Sequence, residues 1–223
     1  MKFILLTLTY LVGAGELILA IYFWATHSKS EIRKVMALLA SSTGIWVICN
    51  GLTAYTNPST MVSFFVSLLY VAATIIVAGL FHFSIIFPYK IINFDRFHRY
   101  LIYLPVLIFS YIIFFTDEVV NNFSVAPDNP GYIQPGKLHA LLIVVISIYF
   151  FSAITILYKK MLRADGNNKR NILLTISGVL LGGIPAIALN SWAVIYNIQI
   201  NPLIAVIFSV FWVGTTSYIL IKR

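Results

Sequence analysis

Long apolar runs alternate with short polar connections from one end of the chain to the other. The runs occupy positions 3–25, 35–55, 61–88, 101–115, 140–158, 171–195 and 202–221. Inside them polar residues stand singly, and charged residues gather at the ends. Runs of this length lack both the strict alternation of a half-buried strand and the single apolar stripe of a surface helix. They predict helices that are apolar on every side. A bilayer core of roughly 30 Å takes about 20 helical residues, so seven such helices with short connections consume nearly the whole chain. No stretch is left over for a soluble domain on either face.

The connections give these helices a direction. Lys29, Arg33 and Lys34, then Lys90, Arg96 and Arg99, then Lys159, Lys160, Arg163, Lys169 and Arg170, and finally Lys222 and Arg223 all fall on one side. The other side holds only Lys2 and Lys137 of the 15 basic residues, together with Asp117, Glu118 and Asp128. Positive connections stay in the cytoplasm. The expected fold is therefore all-α, one domain over residues 1–223. It is an integral membrane bundle of seven transmembrane helices, with the N-terminus outside, the C-terminus cytoplasmic and a long outer loop at 116–139.

Composition agrees with this picture: apolar residues make up 60% of the chain and charged ones 10%, which excludes an ordinary soluble domain. The net charge of +8 is divided into short clusters at helix ends. Such clusters hold orientation and touch anionic lipid heads, so no nucleic-acid partner is expected. Cys49 is the only cysteine, which excludes an intrachain disulfide. The first run has the outline of a signal peptide. Lys29, Arg33 and Lys34 nevertheless place the cytoplasm after it, and no small-x-small cleavage site follows, so it is expected to remain as the first helix.

The polar residues that the membrane must accommodate are the candidates for function. Glu16 is the acidic residue within the runs, and a carboxylate at that depth must be paired, protonated or facing a wet cavity. Gly13 and Gly15 beside it thin the helix and leave room for a partner or a ligand. At about 1.5 Å per residue, Glu16 lies roughly 20 Å and His82 roughly 31 Å below the outer face, too far apart for a direct ion pair. His82 is expected near the inner interface as a hydrogen-bonded packing residue. Trp46, Asn50, Tyr70, Asn190, Trp192 and Trp212 all fall within roughly 15 Å of the outer face. Aromatic rings mixed with carboxamides suit an outward-opening pocket for a small amphipathic ligand, or serve as interface anchors. The loop at 116–139, with turn signals at Asp128-Asn129-Pro130-Gly131 and Pro135-Gly136, is either a solvated connector or a lid. Gly178 and Gly182 make a small-xxx-small pair for helix packing, and Pro185 beyond them permits a hinge.

Several chemistries lack their residues. No lysine sits mid-run for a Schiff base, no His-Glu-x-x-His run is present, and no pair of aspartates or histidines faces across the runs. No phosphate-cradling glycine loop is found. No catalytic residue, metal or cofactor is expected.

Phe81-His82-Phe83-Ser84-Ile85-Ile86-Phe87-Pro88 closes the third run before a basic connection. Trp46 stands mid-way in the second run, and Lys169-Arg170 open the sixth, with Gly178 inside it and Asn190 near its outer end. Ser217-Tyr218-Ile219-Leu220-Ile221-Lys222-Arg223 closes the seventh. Together with the long loop between the fourth and fifth runs, this pattern resembles the N-terminal seven-transmembrane sensor region of bacterial histidine kinases. The resemblance implies an input domain in a prokaryotic cytoplasmic membrane. It implies detection of an external or membrane-borne small molecule or peptide, signalling through the last helices, and action as a homodimer. The effector is expected after Arg223 or in trans, and no kinase activity within residues 1–223, which hold neither a phospho-acceptor helix nor an ATP-binding domain. Two competing functions stand beside it. One is a small proton-coupled transporter using Glu16, against which the lack of an internal repeat counts. The other is a structural membrane subunit using the Gly178–Gly182 face.

Overall fold

The computed structural model describes residues 2–26, 30–55, 60–90, 96–126, 129–188 and 203–222. The apolar runs form α1 (Lys2–Ala25), α2 (Glu31–Tyr55), α3 (Thr60–Ile86), α4 (Arg96–Leu101), α5 (Leu104–Phe115), α6 (His139–Arg163), α7 (Gly166–Ile187) and α8 (Leu203–Ile221). Helix α3 lies against α2, α5 and α6; α7 lies between α6 and α8; and α8 closes the bundle against α1 and α2. Five of these helices are long and apolar enough to cross a membrane, and Arg99–Phe115 and Ser209–Ile221 are shorter apolar stretches. Large apolar side chains cover the outside, among them Leu11, Ile18 and Ile21 on α1 and Leu107 and Tyr111 on α5. Water would penalise that surface, whereas acyl chains solvate it.

Glycines bring α1 and α2 together. A Cβ on Gly13 would stand 2.6 Å from Ile48 Cγ1, and one on Gly44 would stand 2.9 Å from the Gly13 carbonyl oxygen. With no hydrophobic drive between helices inside lipid, such close backbone approach supplies the van der Waals contact that holds a pair. Gly15 faces open space instead.

The structure departs from the sequence expectation in three places. The fourth run is broken: α4 ends at Leu101, Ile102 and Tyr103 form a turn, and α5 begins at Leu104 with Pro105 in its first turn. Proline has no N–H to give an upstream carbonyl, so a helix begins there more readily than it continues through. The 12 residues of α5 span only about 18 Å. The basic connection at 159–170 is nearly all helix, since α6 runs to Arg163 and α7 starts at Gly166, whose φ of +52° suits glycine. The loop at 116–139 holds an antiparallel hairpin, β1 (Val120–Ala126) with β2 (Asn129–Pro135), in the register Val120 to Pro135 and Phe123 to Ile133. Asn129-Pro130-Gly131 thus opens a strand, while Asp128 lies outside the described residues. At the hairpin base the Gly136 N–H donates to the Val119 carbonyl at 3.0 Å and the Leu138 N–H to that of Glu118 at 2.7 Å.

The basic connections meet at one end of the bundle. Arg33 donates to Thr26 at 3.0 Å, Lys90 and Arg99 both reach Glu31, and Lys160 reaches the end of α3.

Candidate functional site

Helices α2, α3, α6, α7 and α8 leave a cavity of about 90 Å³ between them. Its wall is predominantly apolar: Trp46 from α2, Ile76, Val77 and Leu80 from α3, Phe150 from α6, Gly182, Gly183 and Ile187 from α7, and Trp212 from α8. Trp46 and Trp212 are buried, at 5% and 7% exposure. The space exists partly because α7 presents glycines here. A Cβ on Gly183 would run into the Phe150 ring. Pro185 sits inside α7 within the same turn, where it removes one backbone hydrogen bond.

Two polar side chains reach this wall. The Thr43 hydroxyl donates to the Leu39 carbonyl of its own helix at 2.8 Å and is thereby occupied. The Ser209 hydroxyl donates to Glu16 Oε1 at 3.0 Å, so Glu16 stands one side chain behind the cavity, buried at 4% exposure. Glu16 Oε2 has no hydrogen-bond partner among the described residues.

The residues singled out from the sequence therefore divide. Trp46 and Trp212 share the cavity with Gly182, and Glu16 approaches through Ser209. Asn50 is buried, but its Nδ2 donates to the Trp46 carbonyl at 2.9 Å, one turn earlier on the same helix. Tyr70 packs edge-on against His139 with ring centres 5.5 Å apart, and it does not line the cavity. Gly178 lies one turn before Gly182 and faces α8. Asn190 and Trp192 lie outside the described residues. Among the described residues none from the hairpin lines the cavity.

A second polar constellation sits at the basic end. Glu31, at the start of α2, accepts from Lys90 Nζ at 2.6 Å and from Arg99 at 2.5 Å. His82 Nε2 stands 3.5 Å from the same carboxylate, an ion-pair distance rather than a good hydrogen bond. Its Nδ1 bonds the Tyr103 hydroxyl at 3.0 Å. His82 is thus hydrogen-bonded, as expected, and the Glu31 carboxylate at the start of α2 stands beside it. The cluster is partly open to solvent, so Glu31→Gln is expected to lower stability by only about 1 kcal/mol. The difference between variant and native protein should shrink as salt rises, which unfolding in detergent at two ionic strengths measures.

Beside it, Lys160 is fully buried near the end of α6, and its Nζ donates to the carbonyls of Ile85, Phe87 and Tyr89 at 2.8, 2.7 and 2.6 Å. The ammonium also stands 5.4 Å from the centre of the Tyr89 ring. These carbonyls belong to the end of α3 and the residues that follow, where no further helical turn takes them up. Ending the fifth run at 158 hid this lysine. The legible signal was its phase: Ile146, Phe150, Ala153, Leu157 and Lys160 recur every three or four residues, and all are buried.

No group of three or more His, Cys, Asp or Glu capable of holding a metal is found among the described residues. What fold and cavity define together is a multi-pass helical membrane bundle with a small apolar chamber inside it. Over residues 8–222 the sequence matches the family described as the N-terminal 7TM region of histidine kinase, and the chain belongs to that family. It is a membrane input region of the kind that precedes a two-component kinase, and the matched region takes up nearly all 223 residues. No curated protein matches the chain.

Proposed function

We propose that this region detects a small apolar or amphipathic molecule in the cavity between Trp46 and Trp212. The signal passes through α7 and α8 to a cytoplasmic kinase, following Arg223 or in trans. The observation that carries the reading is the cavity's position: it is bounded by the Gly182–Pro185 turn of α7 and by Trp212 of α8, so an occupant pushes on both helices at once. A molecule changes output only by binding two arrangements of the bundle with different affinity. The proline within α7 and the small residues before it provide a place for those arrangements to differ. The clustering of basic connections at one end supports an N-out, C-in orientation in a prokaryotic cytoplasmic membrane.

Joining the region after Arg223 to a histidine-kinase core in liposomes provides a readout. Autophosphorylation is followed as short-chain alcohols and fatty acids are added. Gly182→Leu places a side chain in the cavity and is expected to reduce the response about tenfold or more. An unchanged dose response in a folded Gly182→Leu protein would refute the cavity as the input site.

Glu16 supports a second function, proton-coupled transport, because it is buried and one of its oxygens is unpartnered among the described residues. Proton-driven uptake into liposomes that disappears in Glu16→Gln would favour transport over reception.

A further inference from the structure

At the basic end, the start of α7 and the end of α8 diverge to leave a cleft of about 470 Å³. We propose that it binds the phosphate of an anionic phospholipid headgroup. The site is distinct from the cavity described above and its chemistry does not depend on it.

Arg170 and Asn171 of α7 and Tyr218 and Lys222 of α8 line the cleft, and Leu174 and Ile219 form its apolar floor. Two cations therefore approach from opposite helices, and among the described residues no carboxylate belongs to the lining. Lys222 Nζ donates to the Tyr218 hydroxyl at 3.0 Å and stands 5.3 Å from the centre of its ring, which holds the ammonium at the rim. The Tyr218 hydroxyl keeps its own proton for an acceptor. A guanidinium matches phosphate oxygens with two parallel N–H donors, the ammonium adds a point charge, and the Asn171 carboxamide offers further N–H groups.

The lining changes character along the cleft, from charged at the rim to apolar one turn deeper. A free phosphate uses only the rim. A phospholipid uses both parts, its phosphate between Arg170 and Lys222 and its acyl chains along Leu174 and Ile219. Basic pockets between membrane helices recognise anionic headgroups in this manner. One phosphate held by both cations ties α7 to α8, so lipid composition sets the spacing of the two helices.

The full chain in detergent, examined by native mass spectrometry, tests this with phosphatidylglycerol, phosphatidylcholine and inorganic phosphate as separate probes. The expected result is retained phosphatidylglycerol, weaker phosphatidylcholine and no displacement by equimolar inorganic phosphate. Arg170→Gln with Lys222→Gln should lower phosphatidylglycerol occupancy about tenfold or more. Lys159→Gln, an exposed basic residue of the same end but outside the cleft, should leave it within about twofold, since a solvated surface charge contributes little. Equal losses in the double variant and in Lys159→Gln would overturn the site. Displacement by inorganic phosphate would overturn the lipid assignment. A thermal midpoint for each variant separates lost binding from lost folding.

Discussion

Lys160→Met is expected to destabilise the bundle by about 3 kcal/mol, roughly 1 kcal/mol for each carbonyl left without its donor. Methionine keeps the unbranched stem and nearly the same volume, so packing around Ala153 and Leu157 is retained and only the ammonium is removed. An ammonium has three N–H groups, and the carbonyls of Ile85, Phe87 and Tyr89 take all three. Once the lysine is gone, the Ile85 and Phe87 carbonyls lose this donor in a buried setting and that of Tyr89 loses it in a half-buried one. Phe83 and Phe87 stack beside them with ring centres 4.8 Å apart. Denaturant unfolding in micelles measures the loss, and hydrogen exchange at residues 85–90 locates it. Loss of less than about 0.5 kcal/mol, with unchanged exchange at the end of α3, would show that the interaction is structurally idle.

Lys160 also shows where the sequence was legible and where it was not. The helices and the basic end follow from long apolar runs and from charges in the connections, and both are local signals. At the basic end charged residues continue the helices beyond the apolar runs, so charge there does not mark a connection. Lys159 and Arg163 are exposed on the last turns of α6, whereas Lys160, between them, points into the core. Glu31 was missed for the same reason, since it opens α2 but pairs with Lys90 and Arg99, both far along the chain. The break between α4 and α5 was foreshadowed by Pro105, yet apolar content alone does not reveal it. The candidate site was less legible still. Depth along a helix is countable from the sequence, but rotation about the helix axis is not. That is why Trp46 and Trp212 meet at one cavity while Tyr70 turns to His139 and Asn50 bonds its own helix.

Gly178→Leu is expected to separate α7 from α8 and to cost about 2–3 kcal/mol. A Cβ at this position would overlap Thr215 Oγ1 and would stand 3.0 Å from the Phe211 carbonyl oxygen. Thr215 has little freedom to retreat, because its hydroxyl already donates to that same carbonyl at 2.7 Å. The clash is thus largely with backbone and a pinned side chain, and the cheapest relief is movement of a whole helix. Spin labels at Leu181 and Val210, both exposed, report the distance between α7 and α8 directly. The distance should lengthen in Gly178→Leu and change less in Gly178→Ala, with stability falling in the same order. Gly182→Leu lies one turn further along the same helix and enters the cavity instead, which makes the two substitutions separable. If α7–α8 spacing carries the signal, Gly178→Leu shifts the basal output of a kinase fusion, while Gly182→Leu abolishes its response to added molecules. An unaltered distance together with unaltered stability in Gly178→Leu would mean that α7 and α8 are not held together at this glycine, and the route from cavity to kinase would have to run through another pair of helices.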